Sequence, residues 1–140
     1  MSRKRREIPR FEHPLIETHC HLDYLEAQSL EETLEQAAAV GIERIVTISV
    51  SPDNMAPVRE LAERHPQVWC TQGIHPHEAS HYDAAVEQRL AAGLEAPKVL
   101  AVGEIGLDYY YDHSDRAVQR AAFERQLGLA VERQLPVVIH

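Results

Sequence analysis

Short apolar runs alternate with longer amphipathic stretches along this chain of 140 residues. Five of the runs have the length and the branched side chains typical of β-strands, namely 15–19, 44–48, 68–73, 99–104 and 137–140. Between them, apolar residues recur at helical spacing over 29–41, 52–65, 84–94 and 114–134. The pattern predicts five parallel strands joined by helices, an α/β fold with right-handed crossovers.

Local signals fix several ends of the predicted helices. Ser29 and Glu32 have the spacing of a capping box, and Gly41 follows the last residue of the same helix. Pro66 ends the second helix, and Pro136 comes after the last one. These residues favour a strict alternation of strand and helix.

The last helix and the last strand carry the clearest apolar patterns. Phe123, Leu127, Ala130 and Val131 fall on one predicted helix face, which should pack on the core. The run 137–140 is continuously apolar up to its histidine, as in strands that are buried on both faces of a parallel sheet. Met55 and Trp69 are also expected in the core.

Two architectures fit five such units. One is an open, doubly wound sheet, which the length by itself favours. The other is part of a TIM barrel, a fold that needs about 250 residues, so that this chain supplies strands 1 to 5 with their helices. No repeat, low-complexity tract or linker divides residues 15–140, which we expect to form one domain.

Composition excludes several classes of protein. The chain is 44% hydrophobic and 26% charged, with a formal net charge of −8, which is ordinary for a globular domain and not for a disordered or collagen-like one. No apolar stretch reaches the roughly 18 residues needed to cross a bilayer, so we expect a cytoplasmic protein without a membrane partner. Residues 1–14 begin with a basic cluster and are expected to form a disordered arm.

The cysteines suggest no structural role. Cys20 and Cys70 lie inside strand-like runs and lack the spacing of a zinc finger or a disulfide framework. Reduced, mostly buried thiols are the expectation.

Residues suited to binding a metal ion follow several strands at one end. His19 and His21 come after the first strand and, being two apart, point to the same side. Glu104 ends the fourth strand and His140 ends the fifth. A carboxylate and imidazoles from separate strands are typical of a catalytic divalent-metal site, although Glu104 could instead pair with an arginine and His140 could be a hydrogen-bonded core histidine.

Three further features lie near the same end. His75 follows the third strand and is either a site residue or part of a tight turn. Asp108 either orients a ligand or a water, or caps the following segment. The tyrosines 109–111 either stack on a base or sugar, or anchor their loop to the fold.

Five segments together resemble the TatD-like family. They are Thr-His-Cys-His-Leu-Asp at 18–23, Gly-Ile-His-Pro-His at 73–77, Gly-Glu-Ile-Gly-Leu-Asp-Tyr at 103–109, and the stretches 119–127 and 136–140. Each motif alone is weak, but their order and spacing are specific, and the resemblance covers nearly all of residues 15–140.

The resemblance implies a (β/α)8 barrel of the amidohydrolase type that acts as a metal-dependent deoxyribonuclease. His19, His21, Glu104 and His140 would be ligands, with Glu104 bridging two divalent ions of zinc, magnesium or manganese. The reaction would be phosphodiester hydrolysis by a metal-activated water. DNA or a short oligonucleotide would be the substrate.

The chain differs from the family pattern at two expected site residues and at one position of the first strand. The pattern also requires a histidine after strand 6 and a catalytic aspartate after strand 8, and Glu17 stands where relatives commonly have aspartate. We therefore expect the front part of a longer enzyme, inefficient alone, and open to self-association or to completion by a partner chain. Alternative functions are a related barrel hydrolase of amides, lactones or phosphotriesters, and a noncatalytic metal-binding fragment.

Overall fold

The computed structural model describes residues 6–140 and contains all five predicted strands and four predicted helices. In chain order they are β1 (Leu15–Cys20), α1 (Leu30–Ala39), β2 (Ile42–Thr47), α2 (Met55–Arg64), β3 (Val68–Gln72), α3 (Ala84–Gly93), β4 (Val99–Ile105), α4 (Arg116–Arg133) and β5 (Val137–Ile139). Two 3-10 helices that the pattern did not predict, Leu22–Tyr24 and Pro76–His81, follow β1 and β3. The first five residues of the predicted basic arm lie outside the described residues.

The strand order decides between the two predicted architectures. All pairings are parallel and the order in the sheet is β1-β2-β3-β4-β5. A doubly wound sheet reverses its order at a switch point, whereas consecutive order with right-handed crossovers puts every helix on one side. The fold is therefore half of a (β/α)8 barrel, as the resemblance implied.

The core lies between the sheet and the helices. Its centre includes Val68, Cys70 and Met55, all nearly inaccessible to solvent. Trp69 was expected there too, but it is only half-buried. Successive strand residues point to opposite faces, and the Trp69 ring lies under the Lys98 ammonium group at 4.2 Å rather than among the core residues.

Helix α4 packs Phe123, Leu127 and Ala130 on the core, as its spacing predicted, but not Val131. Val131 is 78% exposed, whereas Gln119, Ala122, Gln126 and Ala130 are buried. The two glutamines replace apolar residues on the inner face because they hydrogen-bond to loops beneath the helix. Neither α4 nor any other helix within 6–140 is long and apolar enough to cross a membrane.

Strand β5 is less buried than its continuous apolar run predicted. Val137 and Ile139 are 37% and 54% exposed. The reason is that β5 pairs on one side only, with β4, and is an edge of the described sheet.

Both cysteines are free thiols, as expected. Cys70 is buried and Cys20 half-buried. Burial raises the pKa of each thiol to about 12, so both stay protonated at neutral pH.

Candidate metal centre

A cleft of about 410 Å³ opens at the carboxyl ends of the strands. Its walls include the four histidines and the glutamate singled out in the sequence, together with one more histidine: His19, His21, His75, His77, Glu104 and His140. Parallel strands place their following loops at one edge, which is why residues far apart in sequence meet here.

A groove of similar size, about 400 Å³, lies between α2 and α3. Small side chains and the arginines Arg59 and Arg89 line it. Within residues 6–140, both groups of side chains with the spacing of metal ligands lie in the strand-end cleft instead. The cleft at the strand ends, rather than the groove between α2 and α3, is therefore the candidate metal site.

Glu104 occupies the centre of the cleft with its side chain only 10% exposed. Its Oε2 atom lies 3.3 Å from Nε2 of His19, and its Oε1 atom lies 2.8 Å from Nδ1 of His140. The two oxygens therefore face histidines from opposite ends of the sheet. The alternative pairing of Glu104 with an arginine is not found among the described residues.

His19, His21 and Glu104 form the first ligand group. Each offers one atom, and these atoms all lie within 4.8 Å of one another. His21 stacks on the ring of Tyr24 at 4.9 Å, and its Nδ1 atom is buried without a hydrogen-bond partner in the described chain. A buried imidazole nitrogen without a partner is costly in a protein interior and is suited to a cation.

His140 is held between two carboxylates. Its Nε2 atom lies 2.8 Å from Oδ2 of Asp108 and its Nδ1 atom 2.8 Å from Oε1 of Glu104. If Nε2–H donates to Asp108, a neutral His140 turns an unprotonated nitrogen towards the Glu104 oxygen, and a proton or a cation must lie between these two atoms.

The same contacts set the pKa values of the pair. Burial alone would lower the pKa of His140, but the hydrogen bonds and charges of Asp108 and Glu104 outweigh it and raise the pKa. The pKa of Asp108 lies well below its usual range because its carboxylate accepts the backbone N–H of Tyr111 and hydrogen bonds from His140 and His77. Asp108 therefore contacts a candidate ligand and also shapes the following turn.

His75 is fixed in one tautomer. Its Nδ1 atom accepts the backbone N–H of His77 at 3.0 Å, so the neutral ring carries its proton on Nε2, which lies 3.2 Å from Nδ1 of His140. Burial, followed by the charge of His140, lowers the pKa of His75 to about 4. His75 is therefore a neutral hydrogen-bond donor that points into the cleft.

His77 is a site residue that the sequence reasoning did not single out. Its Nε2 atom lies 2.8 Å from Oδ2 of Asp108, and it belongs with His75 and His140 to a second group whose ligand-type atoms lie within 4.8 Å. The signal was present in the sequence, because His75 and His77 repeat the spacing of His19 and His21.

Two buried glutamines of α4 hold the loops that carry His75 and Asp108. Gln126 accepts the backbone N–H of Ile74 at 2.8 Å and donates to the Ile74 carbonyl at 3.2 Å, next to His75. Gln119 accepts the N–H of Asp108 at 2.8 Å and donates to its carbonyl at 3.1 Å. Helix α4 thus fixes both loops through their backbones.

The ends of β3 and β4 are also packed unusually close. A Cβ atom added to Gly73 would lie 2.7 Å from the carbonyl of Gly103, so only glycine fits there. The hydroxyl of Thr71 donates to that carbonyl at 2.7 Å. This contact fixes the backbone directly before Glu104.

Comparison with known proteins identifies the family of the chain. The family model for TatD related DNase matches residues 16–140. The 3'-5' ssDNA/RNA exonuclease TatD of Rahnella sp. (strain Y9602) is 38% identical over 110 residues, which are 78% of this chain and 42% of that protein. The uncharacterized metal-dependent hydrolase YabD of Bacillus subtilis (strain 168) is 35% identical over 130 residues, or 90% of this chain and 50% of that protein.

Solved structures show the same fold. The TatD homologue YjjV from Escherichia coli K12 superposes with a TM-score of 0.81 at 34% identity, over 89% of this chain and 49% of that one. A TatD family hydrolase from Entamoeba histolytica gives 0.80 at 21% identity, over 91% and 50% of the two chains, which supports the fold alone. The chain spans about half the length of the relatives it matches. It belongs to the family of TatD-related DNases.

Proposed function

We propose that the protein containing this chain hydrolyses phosphodiester bonds in single-stranded DNA or RNA at the cleft around Glu104. The observation that carries the proposal is the position of Glu104, which directs one oxygen to His19 and the other to His140. A carboxylate shared in this way is suited to bridging two cations. The relative from Rahnella is named as a 3'-5' exonuclease of single-stranded DNA and RNA.

The donor set fits two divalent ions. His19, His21 and Glu104 would hold one ion, and Glu104 with His140 would hold part of the other. The unpartnered Nδ1 atom of His21 and the facing nitrogen and oxygen of His140 and Glu104 support this assignment. Imidazole-rich sites favour zinc, while carboxylates also admit manganese and magnesium.

Bound divalent ions would supply Lewis-acid chemistry, since they draw charge from a phosphoryl oxygen and make water more acidic. The side chains of this chain would position the reactants. Asp108 keeps Nδ1 of His140 turned to Glu104, and His75 offers Nε2–H as a neutral donor for a phosphate oxygen. In the family pattern, the base that activates water is an aspartate after strand 8.

The charge of the chain supports a need for cations in substrate binding. Its net charge is −8, and the cleft adds the carboxylates of Glu104 and Asp108. These negative groups would repel a phosphodiester unless bound cations made the electrostatic potential of the cleft positive. Metal removal should therefore abolish both cleavage and substrate binding in the cleft.

The proposal can be tested with Glu104→Gln in the protein that contains this chain. Cleavage of a labelled single-stranded oligonucleotide should fall more than about 100-fold. Loss of a residue that only hydrogen-bonds to a metal ligand already costs up to about that much, and Glu104→Gln removes the bridging charge itself. Glu60→Gln, an exposed carboxylate on α2, is the matched control and should behave like the wild type. An unimpaired Glu104→Gln enzyme would refute the assignment.

A substrate panel tests the reaction class. The wild type should cleave single-stranded DNA or RNA after addition of zinc, manganese or magnesium, and chelation should stop it. Cyclic amides, lactones and phosphotriesters should remain intact. Faster turnover of one of these would replace the proposal with a related barrel hydrolase, and metal binding without any turnover would indicate a noncatalytic metal-binding protein.

A further inference from the structure

The turn that follows β4 exposes two aromatic rings beside the cleft. Tyr110 and Tyr111 are 88% and 63% exposed. Tyr109 differs, because the Arg116 guanidinium lies over its ring at 4.6 Å and Arg120 donates to its hydroxyl at 3.4 Å. The tyrosine run thus divides into one ring that is held by arginines and two rings that are largely exposed.

The exposed rings are presented by a fixed backbone. The N–H of Tyr111 donates to Oδ1 of Asp108 at 2.9 Å, and the N–H of Asp112 donates to the Asp108 carbonyl at 3.2 Å. Gln119 holds Asp108 from below. Since Asp108 also contacts His140, one residue sets both the candidate ligand and the tyrosine turn.

The rings continue the wall of the cleft outward. The ring centroid of His77 lies 5.9 Å from that of His140 and 5.8 Å from that of Tyr111. Tyr110 meets Tyr111 edge to face at 4.8 Å, and His113 lies parallel to Tyr111 at 6.0 Å. One ring, that of His77, therefore lies between Tyr111 and His140.

We propose that Tyr110 and Tyr111 form a stacking subsite for unpaired nucleobases of a strand whose phosphate occupies the cleft. The inference rests on the proposed function and adds to it a place for the base. Exposed aromatic faces bind bases of any sequence, because every base has a π-face. Paired bases hide these faces in a duplex, so the subsite selects single strands.

Tyr111→Ala in the protein containing this chain tests the subsite. KM for a short single-stranded oligonucleotide should rise about 5- to 100-fold with little change in kcat, because stacking contributes to binding rather than to bond cleavage. Tyr111→Phe keeps the ring and should behave like the wild type. Phe11→Ala removes an aromatic ring that is 44% exposed near the start of β1 and should leave KM unchanged.

An oligonucleotide with abasic residues separates stacking from other effects. It should bind the wild type and Tyr111→Ala equally, since it has no base to stack. An unchanged KM of Tyr111→Ala for the normal oligonucleotide, or an equal loss with the abasic one, would overturn the subsite.

Failure of the proposed nuclease function can be distinguished from failure of the stacking subsite. If no oligonucleotide is cleaved, the proposed function fails, and equilibrium binding of the normal and abasic oligonucleotides, measured by fluorescence anisotropy, still tests the subsite. Wild-type preference for the normal oligonucleotide that Tyr111→Ala lacks would support it. Equal affinities in the wild type would refute it.

Discussion

Asp108 is the residue on which the orientation of His140 depends. Its carboxylate accepts hydrogen bonds from His77, His140 and the Tyr111 backbone, and an asparagine has only one acceptor oxygen for these three donors. We expect Asp108→Asn to weaken binding of the more weakly held zinc ion by about 10- to 100-fold, as measured by competition with a coloured chelator. Asp112→Asn is the control, because asparagine also tolerates the positive φ of that position. Equal zinc affinities of the two variants would contradict the prediction.

His75 should give the metal-free chain a characteristic acid sensitivity. Its pKa is lowered from 6.5 in the unfolded chain to about 4 in the fold, so the unfolded state takes up the proton first as pH falls. The free energy of unfolding should therefore decrease from pH 6.5 down to about 4. Urea denaturation of the wild type and His75→Gln across this range measures the effect, and identical pH profiles would refute it.

The pKa of His140 is raised, so His140 contributes with the opposite sign. Its stabilisation of the metal-free fold is present below the unfolded pKa and is lost as pH rises through the folded pKa. The pKa of His140 is raised, whereas that of His75 is lowered to about 4. The loss of unfolding free energy between pH 6.5 and about 4 is therefore attributed to His75.

At the scale of elements, α4 shows what a hydrophobic pattern can and cannot predict. The spacing predicted the position of the helix and the packing of Phe123, Leu127 and Ala130 on the core. It did not predict that Gln119 and Gln126 are buried beside them or that Val131 faces solvent. A glutamine in a sequence gives no sign that loops will approach its amide. The candidate ligands were predictable for the opposite reason, since strand ends place them without reference to packing.

Gln126 should be more important to stability than an ordinary glutamine. Gln126→Leu would leave the N–H and the carbonyl of Ile74 without their side-chain partner, at a cost of about 1–3 kcal/mol for each buried group left unpaired. The free energy of unfolding in urea should fall accordingly. Gln88→Leu, at an exposed position of α3, is the control and should change it little. Equal stability of both variants would show that the contact is not needed.

At the scale of the whole molecule, strand content was predictable but burial was not. Each strand has a local signature, whereas the exposure of Val137 and Ile139 depends on which strands pair beside β5. The choice of half a barrel over a doubly wound sheet likewise depends on strand order. Apolar periodicity does not encode that order, and the family motifs supplied it.

The face of the sheet without helices should drive self-association of the 140-residue chain made alone. Leu100 is 43% exposed, and it alternates with the buried Val99 and so points away from the helices. Exposed apolar patches of this kind favour association. We expect sedimentation velocity to show concentration-dependent oligomers that Leu100→Asp reduces. Val131→Asp, on the outer face of α4, should leave the oligomers unchanged. A chain that stays monomeric at high concentration would show that the exposed face of the sheet does not drive association.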